Sequence, residues 1–208
     1  MRTHTAETRD QLTPATALQI LKEGNDRFRA NLKANRNLLQ QVNDTREGQW
    51  PFAAILSCID SRTSAELIFD QGLGDVFSVR IAGNFLNEDI LGSLEFACHV
   101  AGAKIVVVLG HSKCGAIKGA CDGVELGHLT GLLAKIKPAV ADVPTPANPA
   151  ERVSSNEAFV EAVARANVRR TVAAITSRSK VLNELRERGA IDVVGGMYDL
   201  STGAVEFL

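Results

Sequence analysis

Two rhythms of apolar positions run along this chain. Pro51-Phe-Ala-Ala-Ile-Leu-Ser57 is a short apolar run that ends at Cys58 and reads as a buried strand. Asp75-Val-Phe-Ser-Val-Arg80 reads as a second strand. Lys104-Ile-Val-Val-Val-Leu109 is the strongest, continuous and β-branched, as strands are when helices cover both faces of a parallel sheet. Elsewhere the spacing is helical. Thr13 before Pro14 reads as an N-cap with proline at the first helical position. Leu18, Leu21, Phe28 and Leu32 then follow the 3.6-residue period, with Asn25 in the missing step. Lys22, Glu23, Arg27 and Lys33 fill the other face, so an amphipathic helix is predicted over 14–34. It can pack on its own domain or on a partner subunit.

Further on, Ile90, Leu94, Ala97 and Ala101 share one helical face over 89–101. Ser154-x-x-Glu157 resembles a capping box that opens a long helix through Arg178. A shorter helix over 180–188 stops at Gly189. Ile191-Asp-Val-Val194 and Ala204-Val-Glu-Phe207 read as closing strands around Gly195, Gly196 and Gly203. The polar stretch 35–50 reads as irregular, and 143–149, with three of the six prolines, as a loop between helices. His4 falls in a polar segment, Met1 to Thr13, that reads as a mobile tail without the apolar core of a signal peptide. Alternating strands and helices predict an α/β fold, a mainly parallel central sheet flanked by helices, as one domain over 1–208.

Composition narrows the function classes without choosing one. Lys plus Arg number 23 and Asp plus Glu 24, a formal net charge of −1, which argues against a dedicated nucleic-acid binder. No run approaches the ~20 apolar residues of a membrane helix. Four cysteines in 208 residues are too few for a disulfide scaffold. A reducing cytoplasm is the default compartment, so the cysteines read as thiols or metal ligands.

The chemistry lies in where they stand. Cys58 follows the first strand; His111 and Cys114 follow the strongest one, in Gly110-His-Ser-Lys-Cys114. In parallel α/β folds, ligand sites form outside the carboxyl ends of strands. Two thiolates and an imidazole are a natural zinc set, and three protein ligands leave a fourth position open. A strand-end cysteine alone is more often a small core residue. Cys58-Ile-Asp60-Ser-Arg62 tilts the balance: a carboxylate beside a metal can orient a bound water, and a guanidinium can hold that carboxylate ionised. Gly110 to Gly115 has P-loop-like glycine spacing, but Ala116 and Ile117 stand where Lys and Ser/Thr are needed. Cys98 and Cys121 form no CxxC pair, and His99 and His128 read as surface residues.

These paired motifs, Cys58-Ile-Asp60-Ser-Arg62 with His111-Ser-Lys-Cys114, strongly resemble the β-class carbonic anhydrases. The resemblance implies zinc on Cys58, His111 and Cys114, one per subunit, and interconversion of carbon dioxide with bicarbonate by zinc-bound hydroxide. It implies an Asp60–Arg62 dyad and a homodimer, or a dimer-based oligomer, with sites at the subunit interface and the N-terminal helix embracing the neighbour. Residue by residue, Gln49 matches a glutamine that hydrogen-bonds substrate, Phe77 an apolar wall, and the Gly115 amide a donor near substrate. Ala82 stands where a larger aliphatic is common, and Phe96 replaces a frequent tyrosine. A second subtype carries a regulatory Trp–Arg–Tyr bicarbonate site; Arg80 and Tyr198 match it, but Ile55 replaces the tryptophan. With Gln49, this favours the constitutively open type. Hydrolysis of carbonyl sulfide or carbon disulfide on the same fold, and a non-catalytic zinc protein, are the rival expectations.

Overall fold

The computed structural model describes residues 3–208. Three helices come first: α1 (Ala6–Asp10), α2 (Pro14–Arg29) and α3 (Leu38–Asp44). Strand β1 (Ala53–Ser57), α4 (Ala65–Ile68), β2 (Val76–Arg80) and α5 (Glu88–Glu95) follow. Then come β3 (Ile105–His111), α6 (Gly115–Asp122), α7 (Gly127–Ala134) and α8 (Lys137–Asp142). The chain closes with α9 (Glu157–Arg178), α10 (Lys180–Glu187), β4 (Asp192–Tyr198) and β5 (Val205–Phe207). The sheet order is β2-β1-β3-β4-β5, parallel except for β5, which runs antiparallel to β4. No helix among the described residues is long and apolar enough to cross a membrane.

Successive strand residues face opposite sides, and each side has its own core. Ala54, Leu56, Val106 and Val108 pack toward α5, α6, α8 and α9. Ala53, Ile55, Ile105, Val107 and Leu109 pack with Ala17 and Leu21 of α2 and with Ala65, Ile68 and Phe69. Both faces of β1 and β3 are therefore covered, which is why their sequences are continuously apolar. Burying Leu21 alone contributes about 1.5–3 kcal/mol.

The predicted helix over 14–34 ends sooner, at Arg29, because Asn31 turns left-handed (φ 53°) just beyond it. Thr13 caps it as expected, its side chain accepting from the Thr16 N–H. The buried face of α2 lies on its own sheet, leaving its outer side and the exposed Leu32, Leu38, Leu39 and Val42 beyond it for any second copy. The missing step, Asn25, is buried and ties three backbones: it donates to the Ile68 and Gly203 carbonyls and accepts from the Val205 N–H. Asp70 anchors the connection to α3, accepting from Arg27 Nε, the Ala34 N–H and Arg36 Nη1.

Four other expectations are corrected. Residues 35–50 are not wholly irregular, because α3 forms there and its buried Gln41 accepts from the Leu73 N–H. The long helix is capped by Asn156 and not Ser154, whose N–H is taken by Asp122. Strand β4 runs through Gly195 and Gly196 to Tyr198: Val168 presses where a Gly195 Cβ would stand, at 2.7 Å, so glycine lets helix and strand approach. His4 is not loose; its ring meets the Phe52 ring edge-on at 5.3 Å, and Arg9 of α1 donates to the Ala101 carbonyl. Met1 and Arg2 of that segment lie outside the described residues.

Candidate metal centre

The parallel pairing of β1 with β3 sets Ser57 beside Leu109, so both chains leave the sheet side by side. Cys58 is the first residue past β1 and His111 is the last of β3. A turn follows, in which the Ser112 N–H donates to the Tyr198 carbonyl and Lys113 adopts φ 56°. That turn brings Cys114 back as the residue preceding α6. Ligand atoms of Cys58, His111 and Cys114 consequently all lie within 4.8 Å of one another, and all three residues are buried.

This donor set fits a zinc ion. The two sulfurs stand 3.9 Å apart, and tetrahedral ligation at ~2.3 Å per bond places two sulfurs about 3.8 Å apart. His111 Nδ1 is 2.9 Å from the Ser112 carbonyl, which fixes the proton on that nitrogen. Nε2 is the ring nitrogen left over, buried and without a hydrogen-bond partner. Such an orphan is costly unless a cation takes it. A hydrogen bond from Cys114 lowers the Cys58 thiol to about 4 against the opposing effect of burial, and the Gly83 N–H, 3.4 Å from Sγ, assists. Cys114 is raised in turn by that shared hydrogen bond and by burial, although the N–H groups of Ala116 and Ile117 favour its thiolate. One proton thus leaves the pair easily and the second awaits a dication.

Asp60 is no part of the ligand cluster. Its carboxylate accepts from Arg62 Nε and Nη2 at 2.8 and 2.7 Å and from the Arg62 N–H at 3.0 Å. This fork, the strongest influence on it, holds the Asp60 carboxyl well below the usual range. The loop is held from behind. Arg80 donates to the Cys58 carbonyl at 2.9 Å and to the Asp60 carbonyl at 2.6 Å, while the Thr63 hydroxyl donates to the same two carbonyls. Ile55 is fully buried within β1 and Tyr198 is buried at the end of β4.

The other sequence-predicted residues divide into two groups. Half-buried Ala82 adjoins Gly83, and Gly115 opens α6 with nothing within 4 Å of where its Cβ would stand. Both border the cluster. Gln49, Phe77 and Phe96 do not. Gln49 is exposed and precedes the amino end of β1, roughly 16 Å of strand from Cys58. Phe77 pairs with Ala54, three residues back from the end of β1 and roughly 10 Å away along it. Phe96 joins Phe77 edge-on at 6.2 Å. It opens a π-helical segment, Phe96–Val100, that replaces the ordinary helix expected there.

Residues 53–205 match the family described as "Carbonic anhydrase". The chain belongs to the β-class carbonic anhydrase family. Carbonic anhydrase 2 of Mycobacterium tuberculosis is 37% identical over 196 residues, covering 91% of this chain and 90% of that protein. The solved β-carbonic anhydrase CafA of Aspergillus fumigatus is 26% identical, with TM-score 0.69 over 93% of this chain and 89% of that one. A structure from work on two tetrameric β-carbonic anhydrases of Sordaria macrospora is 25% identical, with TM-score 0.70 over 78% and 83%.

Within this carbonic anhydrase fold, sequence reasoning missed the residues that support the ligands. Gly83 sits at φ +78°, and its N–H reaches Cys58 Sγ while its carbonyl accepts from the buried Asn167 of α9 at 2.8 Å. Ala82-Gly83-Asn84 carried a turn signal that could have flagged the position. Asn167 carried none: a buried asparagine in a helix looks like any polar residue until its partner is known.

Proposed function

We propose that this chain catalyses the reversible hydration of carbon dioxide to bicarbonate and a proton, with one zinc ion held by Cys58, His111 and Cys114. The observation that carries the reading is the buried, unpartnered Nε2 of His111 beside two sulfurs at tetrahedral spacing. When bound there, zinc supplies Lewis acidity that brings the pKa of water toward about 7. The residues supply the rest. Asp60, kept ionised by Arg62, accepts the hydrogen bond that orients the attacking oxygen. Both its oxygens are engaged by Arg62 and it lies outside the cluster, which favours the constitutively open form. The rival non-catalytic site needs a fourth protein ligand, and none joins the three among the described residues. Ala82 contributes apolar surface suited to a neutral substrate, and the Gly115 N–H, unpaired in the first turn of α6, is placed to donate to it.

Gln49, Phe77 and Phe96 complete the site from a second copy, since each lies far from the cluster of its own chain. The active unit is therefore a homodimer or a multiple of one, and the exposed leucines after α2 lie on the arm that reaches the neighbour. Two thiols 3.9 Å apart persist in a reducing compartment, which fits the cytoplasm. Asp60→Asn tests the reading. It retains zinc and loses about 100-fold or more of the hydration rate; near-normal turnover in a zinc-replete variant removes Asp60 from the mechanism.

A further inference from the structure

A cleft of about 410 Å³ opens between the α7–α8 junction and α9, outside the metal centre. Its floor is apolar: Phe85 and Leu86 are buried there, with Pro138 beside them. Its rim is cationic. Lys135, Arg170 and Arg178 surround it, and no Asp or Glu is among the lining residues. Arg170 is engaged by Asp142 at 2.6 Å, whereas Lys135 and Arg178 form no ion pair among the described residues. The hydroxyl-bearing Thr171 and Ser177 line the same wall.

Three cations around one cleft, of which only Arg170 is paired with an acid among the described residues, leave net positive charge at its rim and favour an anion of matching size. Guanidinium forks and hydroxyls suit the tetrahedral oxygens of a phosphate. The volume lies within the range of small-molecule sites, and a floor of Phe85, Leu86 and Pro138 gives an apolar body something to cover. A bare inorganic anion would leave the exposed Pro138 and Ala173 at the edge of the cleft uncovered. We propose that this cleft binds an organic phosphate, its phosphate met by Lys135, Arg170 and Arg178 and its apolar body resting on Phe85, Leu86 and Pro138. The site stands apart from the carbonic anhydrase chemistry, and neither reading depends on the other.

Calorimetric titration of the zinc-loaded 208-residue chain tests this with three probes: adenosine monophosphate, adenosine and inorganic phosphate. Adenosine monophosphate is expected to bind saturably, with each of the other two weaker by about tenfold or more. Because metal centres also take anions, the titration is repeated on a Lys135→Ala/Arg178→Ala variant. Both side chains are exposed, so the fold is retained, as an unchanged melting temperature will show. The variant is expected to lose about tenfold or more of the affinity for adenosine monophosphate. Absent saturable binding, unchanged affinity in the variant, or a nucleoside or inorganic phosphate binding as tightly as the nucleotide would each overturn the proposal.

Discussion

Arg62 grips both carboxylate oxygens of Asp60, its Nε 2.8 Å from Oδ1 and its Nη2 2.7 Å from Oδ2. Arg62 itself is half exposed and Asp60 largely covered. Such a pair has little value as a surface ion pair; in the proposed mechanism it fixes the direction and charge of the carboxylate. Arg62→Ala is expected to cost about 100-fold in kcat with zinc content unchanged. Arg62→Lys restores charge without the fork and should fall between the two. Steady-state hydration kinetics on metal-quantified protein check this; equally low rates for the Ala and Lys variants would mean that charge without the fork adds nothing, and a near-wild-type rate in Arg62→Ala would make the pair dispensable.

Gly83 holds Cys58 from the side. A Cβ there would meet Ile136 Cδ1 at 2.4 Å and Ala116 Cβ at 3.2 Å, at a φ of +78° that disfavours side chains. Gly83→Ala should destabilise the fold by about 1–3 kcal/mol and weaken zinc retention, because the N–H donor to Cys58 shifts. Gly115→Ala, whose Cβ meets nothing within 4 Å, should leave the melting temperature unchanged or higher. Denaturant melts and chelator competition on both variants read the difference.

Gln49 gives a test of shared sites. In the proposed homodimer, Gln49→Ala and Asp60→Asn are each expected to lower activity. Co-expressed, they form mixed dimers in which one site combines an intact Asp60 with an intact Gln49 from the other chain. Random pairing then predicts recovery of about a quarter of wild-type activity. If Gln49 served its own chain's site, no intact site would exist and no recovery would be seen.

Asp70 links pH to stability. Burial raises its carboxyl, but the hydrogen bonds from Arg27, the Ala34 N–H and Arg36 together outweigh this and leave it lowered. A carboxyl lowered by folding stabilises above its unfolded value of about 3.9 and loses that contribution as pH falls through the lower folded value. Asp70→Asn, which removes the negative charge facing Arg27 and Arg36, should cost about 1–3 kcal/mol near neutrality. The gap between variant and wild type should close in acid. Urea midpoints measured across pH reveal it; a gap independent of pH would show that the carboxylate charge is not what holds the arm.

Periodicity made the central strands legible, and the strand ends made the ligand set legible, because each strand and each of the motifs Cys58–Arg62 and His111–Cys114 is local in the chain. Ser57 and Leu109 lead to Cys58 and His111 at adjacent strand ends, and a parallel sheet brings them together. The same locality explains the failures. Helix α3 is a short helix in a polar stretch that leaves Leu38, Leu39 and Val42 exposed and buries only the polar Gln41, so its apolar positions do not mark a core face. Gly195 and Gly196 look like a break until Val168 and Val205 are seen filling the space above them. Asn167 supports Gly83 across 84 positions, a pairing no local pattern announces. Gln49, Phe77 and Phe96 were recognised as site residues from resemblance alone, and their distance from Cys58 emerges only when β1 and β2 are laid in register.

The most direct measurement is stopped-flow hydration of carbon dioxide on protein whose zinc is quantified in the same sample, as purified, after chelation and after zinc is restored. Activity rising in proportion to zinc up to one ion per chain, lost on chelation and regained with the metal, is predicted. No hydration above the buffer background at one zinc per chain, across pH 6.5 to 9, would contradict it.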